Sequence, residues 1–247
     1  MNASSALDQD GYAVFPVESA VSAWAAAALP LATEVAARDD ARRHGGTWSV
    51  GVDALPNAPD GSIGGVALTG TWLDHIEPPK VWHRAQVSTV FPGYPQQDAD
   101  ESDAAHTYRI RRDAAHVDGL LPVGPDRRRF LLEPHGFIAG IPLNDVAASP
   151  LVVWPESHRI MGRAFAALFE GVGPDGWANV DMTDVYQAAR REVFATCARV
   201  PVMARPGQVV LLHRHLLHGV APWKGHAGHV PRVVAYFRPQ IAIENWL

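Results

Sequence analysis

The spacing of apolar and polar positions changes character several times along this 247-residue chain. DQDGYAVFPV, residues 8–17, reads as a turn at Asp10-Gly11 and a short strand through Tyr12, Val14 and Phe15. From about 18 to 44 the pattern becomes helical, with Ser19 as the candidate cap and Pro30 expected to kink or divide the helix. Residues 45–70, rich in Gly, Pro and Asp, predict loops with one or two strands. VWHRAQVSTVF at 81–91 alternates as a strand does and stops at Pro92-Gly93. PGYPQQDADESDAAH (92–106) is acidic and without apolar period, a long surface loop or lid. Strands are expected in TYRIRR (107–112), in RRFLLEPHGFIAGIPL (128–143, as two pieces) and in SPLVVWPE (149–156). Residues 159–198 return to helical spacing, with Thr183 or Asp184 near a helix start, and read as an insertion. Two β-like stretches close the chain, VPVMARPGQVVLLHRHLLHGV (200–220) and RVVAYFRPQIAI (232–243). With no repeat and no long linker, the pattern predicts one mainly β domain over 1–247, with N-terminal helices and a helical insertion.

Composition narrows the class. Apolar residues make up 47% and charged residues 19%, enough for a substantial core, and 20 prolines favour turns over long helices. The net charge of −5 offers no basic footprint, so nucleic acid is not the expected partner. Cys197 is the single cysteine, which rules out an intramolecular disulfide and suits a reducing compartment. The first residues lack a basic segment followed by an apolar run, and AVSAWAAAALPLA is interrupted by Pro30 and short for a membrane span. The expectation is a cytoplasmic protein that acts on a small molecule.

The chemistry concentrates at His116-Val117-Asp118. On a strand, residues i and i+2 share a side, so the imidazole and the carboxylate can reach one ion. A second histidine would complete a two-His-one-carboxylate triad with open positions, the donor set of non-heme Fe(II) oxygen chemistry. His213, His215 and His218 all lie in the apolar stretch 205–220, and on residues alone each is a candidate. Arg232 or Arg238, on the following strand, could hold a dicarboxylate through its guanidinium.

Taken together, HVD (116–118), LVVWPESH (151–158), RPGQVVLLHRHLLHGV (205–220), PRVVAYFRP (231–239) and the opening LDQDGYAVFPV (7–17) resemble the phytanoyl-CoA dioxygenase-like group of Fe(II)/2-oxoglutarate oxygenases. The resemblance spans most of the chain and implies a double-stranded β-helix, a cupin-like jelly-roll barrel with helices outside. It implies His116, Asp118 and His218 as iron ligands and Arg232 as the residue binding the distal carboxylate of 2-oxoglutarate. The implied reaction consumes O2 and 2-oxoglutarate, hydroxylates an unactivated C–H bond of a small organic substrate, and releases succinate and CO2. Desaturation or ring formation is a related outcome. The family's halogenases lack the carboxylate that Asp118 supplies here, which favours hydroxylation. Two departures stand out: Glu156 occupies a position where the family commonly has Gly, and no Asn follows the distal His in GVAPWKGHAGH (219–229). The other classes carried forward are a non-catalytic metal- or ligand-binding jelly-roll module and a barrel isomerase or hydrolase that does not use 2-oxoglutarate.

Around the triad, Trp82, Phe137, Trp154 and Arg112 are candidates for the pocket wall, although large aromatics are more often core. His158, His213 and His215 are candidates for groups that support the metal ligands. The acidic stretch at 97–104 argues mildly against a polyanion near it.

Overall fold

Strand alternation builds the molecule in layers. The computed structural model describes residues 3–225 and 230–247, so part of the GVAPWKGHAGH stretch lies outside the described residues. In chain order the elements are α1 (Ala3–Asp10), β1 (Tyr12–Val14), α2 (Ser19–Ala37), β2 (Trp48–Ser49), β3 (Gln86–Val90), α3 (Asp103–Arg112), β4 (Leu120–Val123), β5 (Arg128–Leu131) and β6 (Phe137–Pro142). There follow β7 (Leu151–Val153), α4 (Ser157–Leu168), α5 (Thr183–Thr196), β8 (Val200–Val202), β9 (Val210–His213), β10 (His218–Val220) and β11 (Arg232–Phe237). Short 3-10 helices occur at Thr71–His75, Pro174–Asn179 and Ile243–Asn245.

Every strand pair is antiparallel. The larger sheet has the order β1-β9-β6-β11-β3-β2, a smaller one β10-β7-β8, and β4-β5 is a hairpin. On β6, β9 and β11 the odd positions Phe137, Ala139, Ile141, Leu211, Val233, Ala235 and Phe237 pack with α2 residues such as Trp24, Ala25, Ala28 and Ala32. Even positions Ile138, Val210 and Leu212 face the other way and pack against Leu151 and Val153 of β7. The opposite face of β7, with Val152 and Trp154, packs on α4 and α5 through Met161, Phe165 and Val193. The order of layers is therefore α2, large sheet, small sheet, α4–α5. β3, β6 and β7 are buried along their whole length and β9 and β11 nearly so, which is why these segments read as nearly continuous apolar runs rather than as clean alternation.

Several expectations change at this level. α2 is continuous through Pro30, which is exposed; the acceptor it leaves unbonded belongs to an outward-facing turn that water can reach. The helix begins at Ser19, but Glu18 holds the cap position and turns its side chain to the backbone N–H and hydroxyl of Thr71. At 19 residues α2 is long and apolar enough to cross a membrane by length and composition, yet Trp24, Ala25, Ala28 and Ala32 are fully buried against the large sheet. The segment TYRIRR is not a strand. It is the second half of α3, capped by the Ser102 hydroxyl and stopped at Asp113 by a left-handed residue. Its alternation arises from a helix with three basic residues in the last turn and no buried residue, so the apolar signal was too weak to set a period. α1 was also not anticipated.

The acidic stretch is likewise tied down. Asp98 accepts the backbone N–H groups of His44 and Gly45, and Glu101 pairs with Arg109 at 2.7 Å. At the start of α4, Glu156 adopts φ 68°, a left-handed conformation that favours Gly, which accounts for the residue expected there.

Candidate metal centre

His116 and His218 lie 102 positions apart in sequence (218 − 116) and opposite one another in space. They exchange both backbone hydrogen bonds, His116 N to His218 O at 2.8 Å and His218 N to His116 O at 3.0 Å. This single antiparallel bridge attaches the HVD segment to the free edge of β10, whose other edge pairs with β7. The expected strand at 116–118 is thus reduced to one bridge, and Asp118 already belongs to the turn that leads into β4. The side-chain consequence of alternation survives. Val117 is buried in the core against α4 and α5, while His116 and Asp118 converge on the other side.

The ligating atoms of His116, Asp118 and His218 all lie within 4.8 Å of one another. His116 Nε2 is 3.1 Å and His218 Nε2 3.9 Å from Asp118 Oδ1. Both rings are oriented in the same way. Nδ1 of His116 lies 2.9 Å from the carbonyl of Ala114, and Nδ1 of His218 lies 2.9 Å from the carbonyl of Leu216. A carbonyl only accepts, so each Nδ1 carries a proton and each Nε2 is the ring atom turned to the common point. Burial and the neighbouring His116 push the His218 pKa down to about 4, which keeps that ring neutral, the form that binds metal. Burial opposes ionisation of Asp118, but the hydrogen bond from His116 and the surrounding positive charges, Arg238 among them, hold its carboxyl well below the usual range. Burial opposes a charge on His116, but the hydrogen bond to Asp118 and its carboxylate raise the His116 pKa, so without a metal His116 Nε2 shares a proton with Asp118. Two imidazoles and one carboxylate, all on one side, suit a divalent transition metal that would take that proton's place.

Glycine follows two of the three ligands. A Cβ at Gly119, where φ is +87°, would sit 2.2 Å from the Glu133 carbonyl, and one at Gly219 would sit 2.1 Å from the Asp113 carbonyl. The backbone passes too close at both points for any side chain.

The triad opens into a cavity of about 570 Å³. Its wall includes Gln86 and Ser88 of β3, Ile138 of β6, Leu151 of β7, and Tyr236 and Arg238 at the end of β11. Arg238 Nη1 is 3.4 Å from Asp118 Oδ2. Arg238, the residue that follows β11, is the cation beside the metal ligands, whereas the resemblance implied Arg232 for the cosubstrate. Arg232 starts β11, opposite Val90 of β3, six residues or roughly 20 Å of strand away from Arg238. It lines a separate cavity of about 400 Å³ with Asp145, Pro150 and Gln208. Arg232 is 9% exposed, and its buried Nη1 has no hydrogen-bond partner among the described residues.

The four candidate wall residues lie elsewhere. Trp82 and Phe137 pack in the core between α2 and the large sheet, and Trp154 packs against Phe194 on the α5 side. Arg112 lies over the Phe194 ring at 4.4 Å. None of them lines the metal cavity; for the aromatics, burial in the helix-facing layers wins. His158, His213 and His215 form a row of tilted and edge-to-face ring contacts that ends on Trp246, with centroids 5.0, 5.2 and 4.4 Å apart, anchored by His158 Nε2 to the Asp8 carbonyl. Their ring and hydrogen-bond contacts among the described residues are not with the triad, so this row supports the fold beside β9 rather than the metal ligands. Tyr108 and Tyr186, which carried no sequence signal, contact the ligand segment directly. The Tyr108 hydroxyl donates to Ala115 O at 2.7 Å, and Tyr186 accepts Val117 N at 3.2 Å.

No family model matches the sequence, and no curated protein matches it. Solved structures do. A non-heme alpha-ketoglutarate-dependent carbocyclase, SnoK from nogalamycin biosynthesis, aligns over 96% of this chain and 81% of its own, with 14% identity and a TM-score of 0.50. The epimerase SnoN, in complex with Fe3+, alpha-ketoglutarate and nogalamycin RO, aligns over 96% and 81% with 14% identity and a TM-score of 0.47. EctD from S. alaskensis with bound Fe aligns over 95% and 74% with 17% identity and a TM-score of 0.44. At these identities the likeness to the carbocyclase is one of fold.

Proposed function

We propose that this protein is an Fe(II)- and 2-oxoglutarate-dependent oxygenase of the phytanoyl-CoA dioxygenase-like kind, working in the cytoplasm on a small organic substrate. The observation that carries the reading is the convergence of two Nε2 atoms and one carboxylate oxygen, with both Nδ1 atoms anchored to backbone carbonyls. The fold shared with an alpha-ketoglutarate-dependent enzyme supports it. On this reading the two facing sheets are the halves of a double-stranded β-helix, with the inner faces of β6, β7, β9 and β11 surrounding the site.

His116, Asp118 and His218 would hold the iron on one face. When bound, Fe(II) with 2-oxoglutarate and O2 supplies an oxidant able to attack an unactivated C–H bond, giving succinate and CO2. The chain's own residues orient and enclose. Arg238 stands beside Asp118 and keeps its carboxylate ionised and aimed. Arg232 is assigned the distal carboxylate of 2-oxoglutarate, with Arg238, which lines the metal cavity itself, as the competing residue. It stands on the same face of β11 as Tyr236 and Arg238, and its unpartnered buried Nη1 fits a carboxylate ligand. Ile138 and Leu151 supply apolar wall that excludes water from the cavity. Hydroxylation is the assigned outcome.

The test is decarboxylation of 2-oxoglutarate by anaerobically prepared, Fe(II)-loaded protein with ascorbate, measured as succinate formed on admission of O2. Turnover in the wild type and its loss in His116→Ala support the reading. Absence of turnover, with iron and 2-oxoglutarate binding unchanged in His116→Ala, sinks it and leaves a binding module. Iron-dependent chemistry that needs no 2-oxoglutarate would point to an isomerase or hydrolase.

A further inference from the structure

The wall of the metal cavity is unusually cationic for a chain of net charge −5. Six arginines line it, against two carboxylates, Asp118 and Glu133. Two of the six are engaged, Arg238 by Asp118 and Arg109 by Glu101. Arg43, bridged through its backbone to Trp48, and Arg127, Arg129 and Arg190 have no acidic partner among the described residues; the last three are the ones on or beside the β4-β5 hairpin and α5. Asp181 and Asp184, beside the β4-β5 hairpin, both pair with Arg128. The one side-chain hydrogen bond of Arg129 runs from Nη1 to the Leu120 carbonyl at 3.0 Å. Burial pushes the Arg129 guanidinium below its ordinary pKa, and the charges of Arg127 and Arg190 push in the same direction. Arg127 is exposed, but Arg129 and Arg190 are half-buried, and half-buried cations beside a third without a counter-charge are costly unless an anion completes the group.

The position of this group connects it to the metal centre. The Arg190 guanidinium lies over two rings, 4.7 Å from the Tyr108 centroid and 5.1 Å from that of Tyr186. These are the tyrosines whose hydroxyls bond the backbone at Ala115 and Val117, on either side of His116. One layer of side chains therefore separates the arginines from a metal ligand.

We propose that Arg127, Arg129 and Arg190 form the subsite for an anionic group, carboxylate or phosphate, of the substrate that reacts at the His116–Asp118–His218 centre. The assignment of that group to a substrate rests on the oxygenase reading above; the anion site itself does not. A planar guanidinium offers paired donors to either oxyanion, so both sources share one recognition chemistry. The neighbouring Tyr108, Tyr186 and Leu121 give the apolar part of such a molecule a surface between anion and metal.

The experiment uses the metal-free full chain and two probes, inorganic phosphate and octanoate, titrated calorimetrically at low ionic strength. At least one probe binds the wild type, and its Kd rises roughly tenfold or more in Arg127→Gln and Arg129→Gln, as expected for loss of a charge-assisted pair. Arg129→Lys keeps the charge and retains part of the affinity, which separates an anion site from a folding defect. Arg163→Gln, which removes an equal charge from an exposed pair with Glu192 outside the cavity, binds like the wild type. Phosphate alone binding identifies a phosphorylated substrate, and octanoate alone a carboxylate. If neither probe binds, or if all variants bind alike, the proposal is overturned. It is also overturned if anaerobic 2-oxoglutarate binding to Fe(II)-loaded Arg129→Gln weakens in parallel, because the arginines would then hold the cosubstrate. Intact anion binding in a protein without 2-oxoglutarate turnover would instead remove the oxygenase reading alone.

Discussion

The Tyr186 hydroxyl accepts the backbone N–H of Val117 at 3.2 Å, at the one residue between two metal ligands. Tyr186 comes from α5, and Tyr108 from α3 holds the other side through the Ala115 carbonyl at 2.7 Å. The ligand segment is joined to β10 by the His116–His218 bridge and by one bond from Val220 N to Asp113 O at 2.9 Å, so these hydroxyls add restraint that a longer ladder would otherwise give. Tyr186→Phe leaves the Val117 N–H buried and unbonded, which costs about 1–3 kcal/mol of stability. It also lets His116 and Asp118 drift. Fe(II) affinity is expected to fall by about tenfold, the lower end for losing a group that orients a ligand. Tyr186→Phe with wild-type Tm and wild-type iron affinity would show that the segment is held elsewhere.

Arg238 and Asp118 are the second relationship that orders the site, at 3.4 Å. Burial alone would favour the protonated acid at Asp118; hydrogen bonding from His116 and the surrounding cations, Arg238 among them, keep the carboxylate. Arg238→Gln removes one of those cations, so the Asp118 pKa rises and the carboxylate is lost at a higher pH than in the wild type. The expected result is that the lower pH limit of Fe(II) binding moves upward in Arg238→Gln. A pH profile of metal binding that superimposes on the wild type would exclude this role.

Arg232 and Arg238 make separable predictions, because they stand at opposite ends of one face of β11. Arg232→Gln is expected to raise the 2-oxoglutarate concentration needed for half-maximal turnover by about 10–100-fold, the range for losing one charged partner, while iron affinity stays nearly unchanged. Arg238→Gln should alter metal binding. If Arg232→Gln is neutral and Arg238→Gln raises the 2-oxoglutarate requirement, the cosubstrate arginine is Arg238.

Much of this was legible in the sequence where local chemistry repeats a rule. The period-two placement of His116 and Asp118 and the strand-like 205–220 and 232–237 segments were open to a local reading, whereas the choice of His218 among three histidines came from the family resemblance. What could not be read depended on partners far along the chain. The His116–His218 bridge is a pairing of two short segments with no pattern of their own. Trp82, Phe137 and Trp154 look the same whether they face a cavity or a helix, and only the layers decide. Tyr108 stood in a segment whose polar alternation imitated a strand, so its place on a helix beside the metal ligands had no signal. Arg127, Arg129 and Arg190 read as ordinary surface charge, since α5 must pack beside the β4-β5 hairpin before they meet.

Gly219 tests how tightly the distal ligand is held. A Cβ there would come within 2.1 Å of the Asp113 carbonyl, and backbone cannot yield as a side chain tip can. Gly219→Ala therefore forces β10 away from the ligand segment and separates His218 from His116. The expected cost is at least about 1–3 kcal/mol, as for overpacking elsewhere in a core, with iron binding weakened more than the fall in Tm alone implies. Arg159→Gln, whose exposed guanidinium bonds the Asp8 carbonyl away from the site, serves as a control that changes stability without changing iron affinity.

The row of His158, His213 and His215 gives the pH dependence of stability. Burial first, then the neighbouring His158 and Arg214, push the His213 pKa down to about 4, and burial lowers His158 and His215 too. These rings are neutral in the folded protein, while in the unfolded chain they titrate near 6.5. Below that value the unfolded state binds more protons than the folded one, so unfolding free energy falls as pH falls. For His213 the loss begins near pH 6.5 and levels off near pH 4, where the folded ring is protonated as well. The full loss from His213 is of order 1–3 kcal/mol, since each pKa unit is worth about 1.4 kcal/mol. Metal-free wild-type protein should accordingly lose several degrees of Tm between pH 7 and 5. His213→Gln, which cannot be protonated, should lose less over the same interval. Equal slopes for the two proteins would place the acid sensitivity outside this row.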